Sequence, residues 1–175
     1  MDAVSLSHIN ANEAIAKAEQ LPDDKRARAL LQVARGVARY DPERAAAVIA
    51  EVQQGNERVG EETSLDIISA QAFVAAGQND QTSVHNILQQ GFDSANHIIA
   101  EQQKGPGIRS SLIAVLPPLI RISMENEPDF TTPFLEGLPP SRLKIELLLV
   151  AAEAVAYGRQ PPLAQPRQTA EKPKL

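Results

Sequence analysis

Histidine stands at positions 8, 85 and 97, and Asp93 lies one helical turn before His97. Those two could share a helix face and hydrogen-bond. Zinc chemistry, however, needs three or four converging ligands, and no H-E-x-x-H spacing is present. The face holding Asp93 and His97 lies opposite the apolar stripe Val84–Ile99, so a solvated surface pair is expected there. His8 and His85 have no partner at ligand spacing. Glu125, Glu127 and Asp129 crowd around Pro128. General acid–base catalysis needs two carboxyls in unlike environments, whereas these three share one polar turn. The chain has no cysteine, which removes thiolate nucleophiles, thiolate metal ligands and disulfides together. No glycine-rich loop of the nucleotide-binding kinds and no G-x-S-x-G elbow occurs. No catalytic residue, metal ligand or cofactor is expected from these patterns.

One charged constellation has helical order. Lys25, Arg28, Gln32, Arg35 and Arg39 fall within about 80° of one another at 100° per residue. A basic groove for an acidic peptide or an anion is the functional reading, with Lys25, Arg28, Arg35 and Arg39 as its partner-binding residues. The plainer reading is a solvated face opposite a buried stripe, as amphipathic helices ordinarily have, and it is the stronger of the two.

The elements that would position these residues are all helical. The chain has 175 residues, 43% of them hydrophobic and 22% charged, enough to build a core without disulfides or metals. Aromatics make up 3% and tryptophan is absent, so Ala, Leu, Ile and Val must fill that core. The net charge is −5. The segment Arg159–Leu175 is basic, so the body before it is more acidic still. An acidic body argues against nucleic acid as a partner, because phosphates need cations. No signal peptide is seen at Met1–Asn10, and no apolar run approaches the roughly twenty residues that cross a bilayer. A cytoplasmic location and no membrane partner are expected.

Periodicity predicts helices over about 10–20, 25–40, 42–55, 62–76, 81–103 and 141–157. Pro22-Asp23-Asp24 offers a carboxylate cap to the second, Asp41-Pro42 opens the third, and Asp80 caps the fifth. Gly77 is read as the stop of the fourth. The fifth carries one face without a slip from Val84 to Ile99, with a weak point at Gly91; the rival reading breaks it there. Pro117-Pro118 predicts a sharp kink or two short helices between Ile108 and Met124, since an interior proline costs about 3 kcal/mol. A short element is expected around Phe130, Phe134 and Leu135. Residues 1–158 form the domain, and the proline-rich tail 159–175 is expected to be disordered.

The first five helices read as one-faced, but the last does not. Leu143, Leu147, Val150 and Ala154 make one stripe, and Ile145, Leu149, Ala152 and Ala156 make another on nearly the opposite side. A helix apolar almost all round is buried on several sides. Burying Ile145 and Leu149 alone would contribute about 3–6 kcal/mol. The first expectation is that the chain folds back so that this helix is central. The alternative is self-association, a homodimer through Ile145, Leu149, Ala152 and Ala156.

Two segments echo each other. Leu21-Pro22, Leu30-Leu31, Val33-Ala34 and Tyr40 recur as Leu138-Pro139, Leu147-Leu148, Val150-Ala151 and Tyr157, and Gln53-Gln54-Gly55 recurs as Gln89-Gln90-Gly91. The second spacing is near one helical hairpin of a solenoid. The stretch from Leu30 to Gln53 resembles a degenerate tetratricopeptide-type repeat. Leu30, Val33, Ala34 and Val37 stand at its first-helix positions, Ala46 and Ala50 at its second-helix small positions. No Trp opens the hairpin, and Ala34 and Val37 replace the usual Gly–Tyr pair. The resemblance covers about one repeat and implies stacked hairpins that bind proteins.

The fold expected is therefore all-α: seven to eight helices in stacked antiparallel hairpins, either α-solenoid-like or closed into a bundle. The function expected is a non-enzymatic scaffold that binds a protein or peptide. An enzyme whose site is assembled from distant helices is the alternative, and a structural domain of a larger polypeptide is a third.

Overall fold

The computed structural model describes residues 11–55, 60–103 and 112–158. The expectations for Met1–Asn10, His8 and the tail 159–175 lie outside the described residues. Among the described residues there are eight α-helices and no strand: α1 Ala11–Glu19, α2 Asp23–Val37, α3 Pro42–Gly55, α4 Glu61–Gly77, α5 Gln81–Gln103, α6 Leu112–Asn126, α7 Pro128–Gly137 and α8 Arg142–Gly158.

Local chemistry sets most boundaries. Asp41 Oδ1 accepts the Arg44 N–H at 2.9 Å, and Pro42 supplies the first residue of α3, where a missing N–H is harmless. Asp80 does the same for α5, accepting the Ser83 N–H at 3.0 Å and its hydroxyl at 2.6 Å. Ser141 Oγ accepts the Lys144 N–H at 3.2 Å and opens α8. The start of α2 departs from expectation. It begins at Asp23, with Pro22 as the capping residue and the Pro22 carbonyl accepting from Lys25 and Arg26 at 2.9 Å.

The stop of α4 combines two residues. Asn79 takes the left-handed conformation at φ 58°. The Asp80 N–H then reaches the Ala75 carbonyl and the Asn79 N–H the Ala76 carbonyl, both at 3.0 Å, which is the Schellman pattern. Gly77 serves a different purpose. A Cβ there would lie 2.1 Å from the Ala38 carbonyl oxygen, so glycine lets the end of α4 touch the end of α2.

α5 is one unbroken helix through Gly91. A Cβ at Gly91 would meet Leu119 Cδ1 at 2.9 Å and Ile68 Cγ2 at 3.3 Å. The glycine is therefore a point of close approach to α6 and α4, not a break. α6 is likewise a single helix with Pro117 and Pro118 inside it, which overturns the second of the two alternatives expected there, a sharp kink or two short helices. Continuity keeps Val115, Leu116, Leu119, Ile120 and Ile122 on one buried stripe, none more than 2% exposed. At about 1.5–3 kcal/mol each, those side chains outweigh two prolines at about 3 kcal/mol each. The freed carbonyls belong to Ile113 and Ala114, which are half-buried and exposed.

The helices pack as a row. α2 packs on α3, and α4 packs on both. α5 packs on α4, and α6 packs on both of those. α8 packs on α6, with α7 wedged beside α5, α6 and α8, while α1 packs on α2 and is tied to α3 by Arg44 Nη2, which donates to Asn12 Oδ1 at 3.1 Å. No helix of α1–α3 packs against any of α5–α8. Among the described residues the row is thus open, with α1 at one end and α8 at the other, and the closed-bundle alternative does not describe these eight helices.

The helix buried nearly all round is α4, contrary to its one-faced reading. Every residue from Leu65 to Ala70 is buried, as are Ala72, Val74 and Ala75. Ile67, Ala70 and Val74 close a core with α1, α2 and α3, while Leu65, Ala72 and Ala75 close another with α5 to α8. The central place expected for the last helix belongs to α4, because α4 has packed helices on both sides along the row.

Candidate interaction surface

α8 buries Leu143, Leu147, Ala151 and Ala154 against the row. Its opposite side is open: Ile145 is 62% exposed, Leu149 60%, Leu148 47% and Val155 42%, and Ala152 and Ala156 are exposed beside them. Among the described residues the other large exposed hydrophobic is Tyr40. Apolar side chains left in water are therefore concentrated on one helix. A contiguous apolar patch of this kind marks a contact site on proteins generally. The expectation of central burial is corrected within this chain, and Ile145, Leu149, Ala152 and Ala156 lie together on the outer face.

Charge borders that stripe without crossing it. Arg142 Nε donates to Glu146 Oε1 at 3.0 Å, and Arg121 Nη2 of α6 lies 3.8 Å from Glu153 Oε2. Lys144 adjoins Ile145 in sequence, but its Nζ donates to the carbonyls of Leu138 at 2.9 Å and Glu136 at 3.2 Å. A cation there complements the C-terminal end of α7, and it draws the lysine away from the stripe.

The four basic residues of the second helix are divided. Lys25 and Arg28 are exposed on α2. Arg35 points inward, where Nη1 donates to Asp66 Oδ1 at 2.6 Å and Ser69 Oγ at 3.1 Å. Arg39, just past α2, reaches over α4 to Glu125 of α6. Asp66 and Ser69, both buried, were invisible as partners in the sequence. Their one trace is a carboxylate set inside the apolar run Leu65–Ala70.

The carboxylates around Pro128 also go separate ways. Glu125 holds Arg39, while Glu127 Oε2 lies 2.7 Å from His85 Nδ1. The His85 ring sits 5.2 Å from that of Phe130. His85 thus has a partner 42 residues away, at a separation no local spacing reveals. Asp93 accepts from Gln89 Nε2 at 3.1 and 3.2 Å, and His97 is exposed. Among the described residues no group of three or more His, Cys, Asp or Glu could hold a metal ion. No described helix is long and apolar enough to cross a membrane.

Two shallow depressions lie elsewhere on the surface. One, of about 370 Å³, lies between α5 and α7 and is lined by Phe92, Phe130 and Phe134 with Gln89, Asp93, Asn96 and Asp129 around them. Phe92 stacks on Phe130 at 6.0 Å and tilts against Phe134 at 5.1 Å, so the rings chiefly satisfy one another. The other, of about 350 Å³, lies where α2, α4 and α6 end, beneath Arg39, Phe73, Glu125 and Asn126. Its two charged groups are already joined to each other.

Comparison with known protein families, with curated proteins and with solved structures finds no match for this chain.

Proposed function

We propose that this chain is a non-enzymatic interaction module, a row of stacked helical hairpins that docks another protein on the outer face of α8. The observation that carries the reading is the stripe Ile145, Leu148, Leu149 and Val155, uncovered at the open end of the row. Within the row, α4 and α6 each settle on the pair of helices before them. α4 covers α2 and α3, and α6 covers α4 and α5. The last pair, α6 and α8, has no such successor among the described residues. A further helix with one apolar face is what the row's own packing would place there. The alternation of contacts also supports a repeat origin of the tetratricopeptide-like kind. Lys25 and Arg28 offer an exposed basic edge on α2 for acidic groups of a partner.

The test is affinity capture from the native cell with the full chain as bait, run beside Leu149→Asp. Leu149 is largely exposed, so its replacement should leave the fold intact while placing a charge in the stripe. A protein retained by the wild type and lost by the variant is the expected result. Identical recovery on both baits would overturn the α8 reading.

A further inference from the structure

The docking face on α8 accepts a partner, and the chemistry of this chain's own surface narrows which. We propose that the occupant is α8 of a second copy, related by a two-fold axis crossing the helix near Leu149, so that the protein is a reversible homodimer. The inference rests on the reading of α8 as a docking face and adds the identity of what docks.

Three observations carry it. The first is the spacing of the uncovered side chains. Ile145, Leu148, Ala152 and Val155 follow one another by steps of three, four and three, the spacing of a helix-on-helix seam with knobs set into holes. The covering element is therefore a helix bearing the same kind of seam.

The second is what a copy of this chain can offer. An apolar stripe is matched only by another apolar surface. Among the described residues the far end of the row is α1, whose positions Glu13, Lys17 and Glu19 are exposed and polar, with Glu13 and Lys17 in an ion pair at 3.3 Å. A head-to-tail stack would press the stripe against those charges. Among the described residues Tyr40 is the single large exposed hydrophobic outside α8. Among the described residues, then, the one surface of a second copy that matches the stripe is the same stripe. That makes the contact isologous, and an isologous contact closes at two chains instead of running on as a filament.

The third is charge. Two identical surfaces meet without penalty only where neither carries net charge at the contact. The stripe has none, and its edges are already neutralised within each chain by Arg142–Glu146 and Arg121–Glu153. Lys144 is held back on the carbonyls at the end of α7.

Size sets the strength. α8 has 17 residues, a seam about 25 Å long at about 1.5 Å per residue. One helix laid on another is at the small end of specific interfaces, so the dimer should dissociate on the order of micromolar.

Analytical ultracentrifugation of the full chain, from nanomolar to sub-millimolar, is the test. The wild type should pass from monomer to dimer, and Leu149→Asp and Ile145→Asp should each stay monomeric with unchanged helical circular dichroism and melting. Because the chain has no cysteine, Leu149→Cys places one thiol beside the axis. It should give a disulfide-linked dimer on mild oxidation, whereas Ala16→Cys on the outer side of α1 should not. A wild type that is monomeric throughout overturns the proposal, as does a dimer that survives both aspartate variants. A monomer that still loses a captured protein through Leu149→Asp overturns the homodimer alone and leaves the docking face standing.

Discussion

The Arg35 guanidinium lies 2.6 Å from Asp66 Oδ1, with the two side chains only 10% and 5% exposed. This pair ties α2 to α4, and Ser69 Oγ completes it. A buried ion pair contributes little net stability against an apolar replacement, yet removing one member leaves a charge without compensation. Asp66→Ala should therefore cost about 3–5 kcal/mol. The double variant Arg35→Met with Asp66→Leu should come close to the wild type or exceed it. Urea denaturation of the single and double variants checks both; a double variant no better than Asp66→Ala would show that the pair supplies more than mutual neutralisation.

Gly77 and Gly55 both end helices but should respond oppositely to alanine. At Gly77 the new methyl would press on the Ala38 carbonyl at 2.1 Å, backbone that cannot swing aside, whereas Gly55 has nothing within 4 Å. Gly77→Ala should lose about 1–3 kcal/mol to overpacking. Gly55→Ala should be neutral or gain up to about 1 kcal/mol from a better helix former. Thermal melting of both proteins decides it, and equal behaviour would refute the close approach of α4 to α2.

The Asp80 cap carries a pH signature. The Ser83 hydroxyl, followed by the Ser83 N–H, holds this carboxyl below its ordinary value of 3.8. A depressed folded value means that the unfolded chain binds the proton more readily. The cap's stabilisation is thus complete above pH 3.8 and is lost as the pH falls through the folded value. Melting temperatures of wild type and Asp80→Ala should differ at neutral pH and converge in strong acid. A gap that stays constant across that window would mean that ionisation plays no part.

Two leucines two positions apart on α8 separate the inner face from the outer. Leu147 is fully buried and Leu149 is 60% exposed. Leu147→Ala should cost about 2–5 kcal/mol through the cavity it opens. Leu149→Ala, measured under conditions that keep the chain monomeric, should stay within about 0.5 kcal/mol. Similar losses at both positions would place α8 inside the row after all.

Where a signal was local, it was legible. Asp41-Pro42 and Asp80 announced their helices because a cap acts within one turn. The unbroken stripe from Val84 to Ile99 carried the reading of α5 past Gly91. What the sequence hid lay in long-range pairing. Asp66 and Ser69 made α4 look as though it had a wet side, when that side is satisfied by Arg35 from another helix. His85 looked solitary because Glu127 comes from another helix. The proline pair in α6 signalled a break because backbone cost is local while the burial that opposes it is not. The α8 anomaly was legible as an excess of apolar residues, but nothing in one helix says whether its surplus face turns inward or outward.

Among the described helices α4 alone touches both α1–α3 and α5–α8, and the Arg39–Glu125 bridge merely passes over it. During synthesis, residues leave the ribosome in order. The hairpin of α2 and α3 then emerges with the surface meant for Ile67, Ala70 and Val74 still wet, and it stays so until Glu61–Gly77 follows. The amino-terminal core is in this sense born unfinished. The order of synthesis makes α4 the step at which a loose hairpin becomes a committed fold.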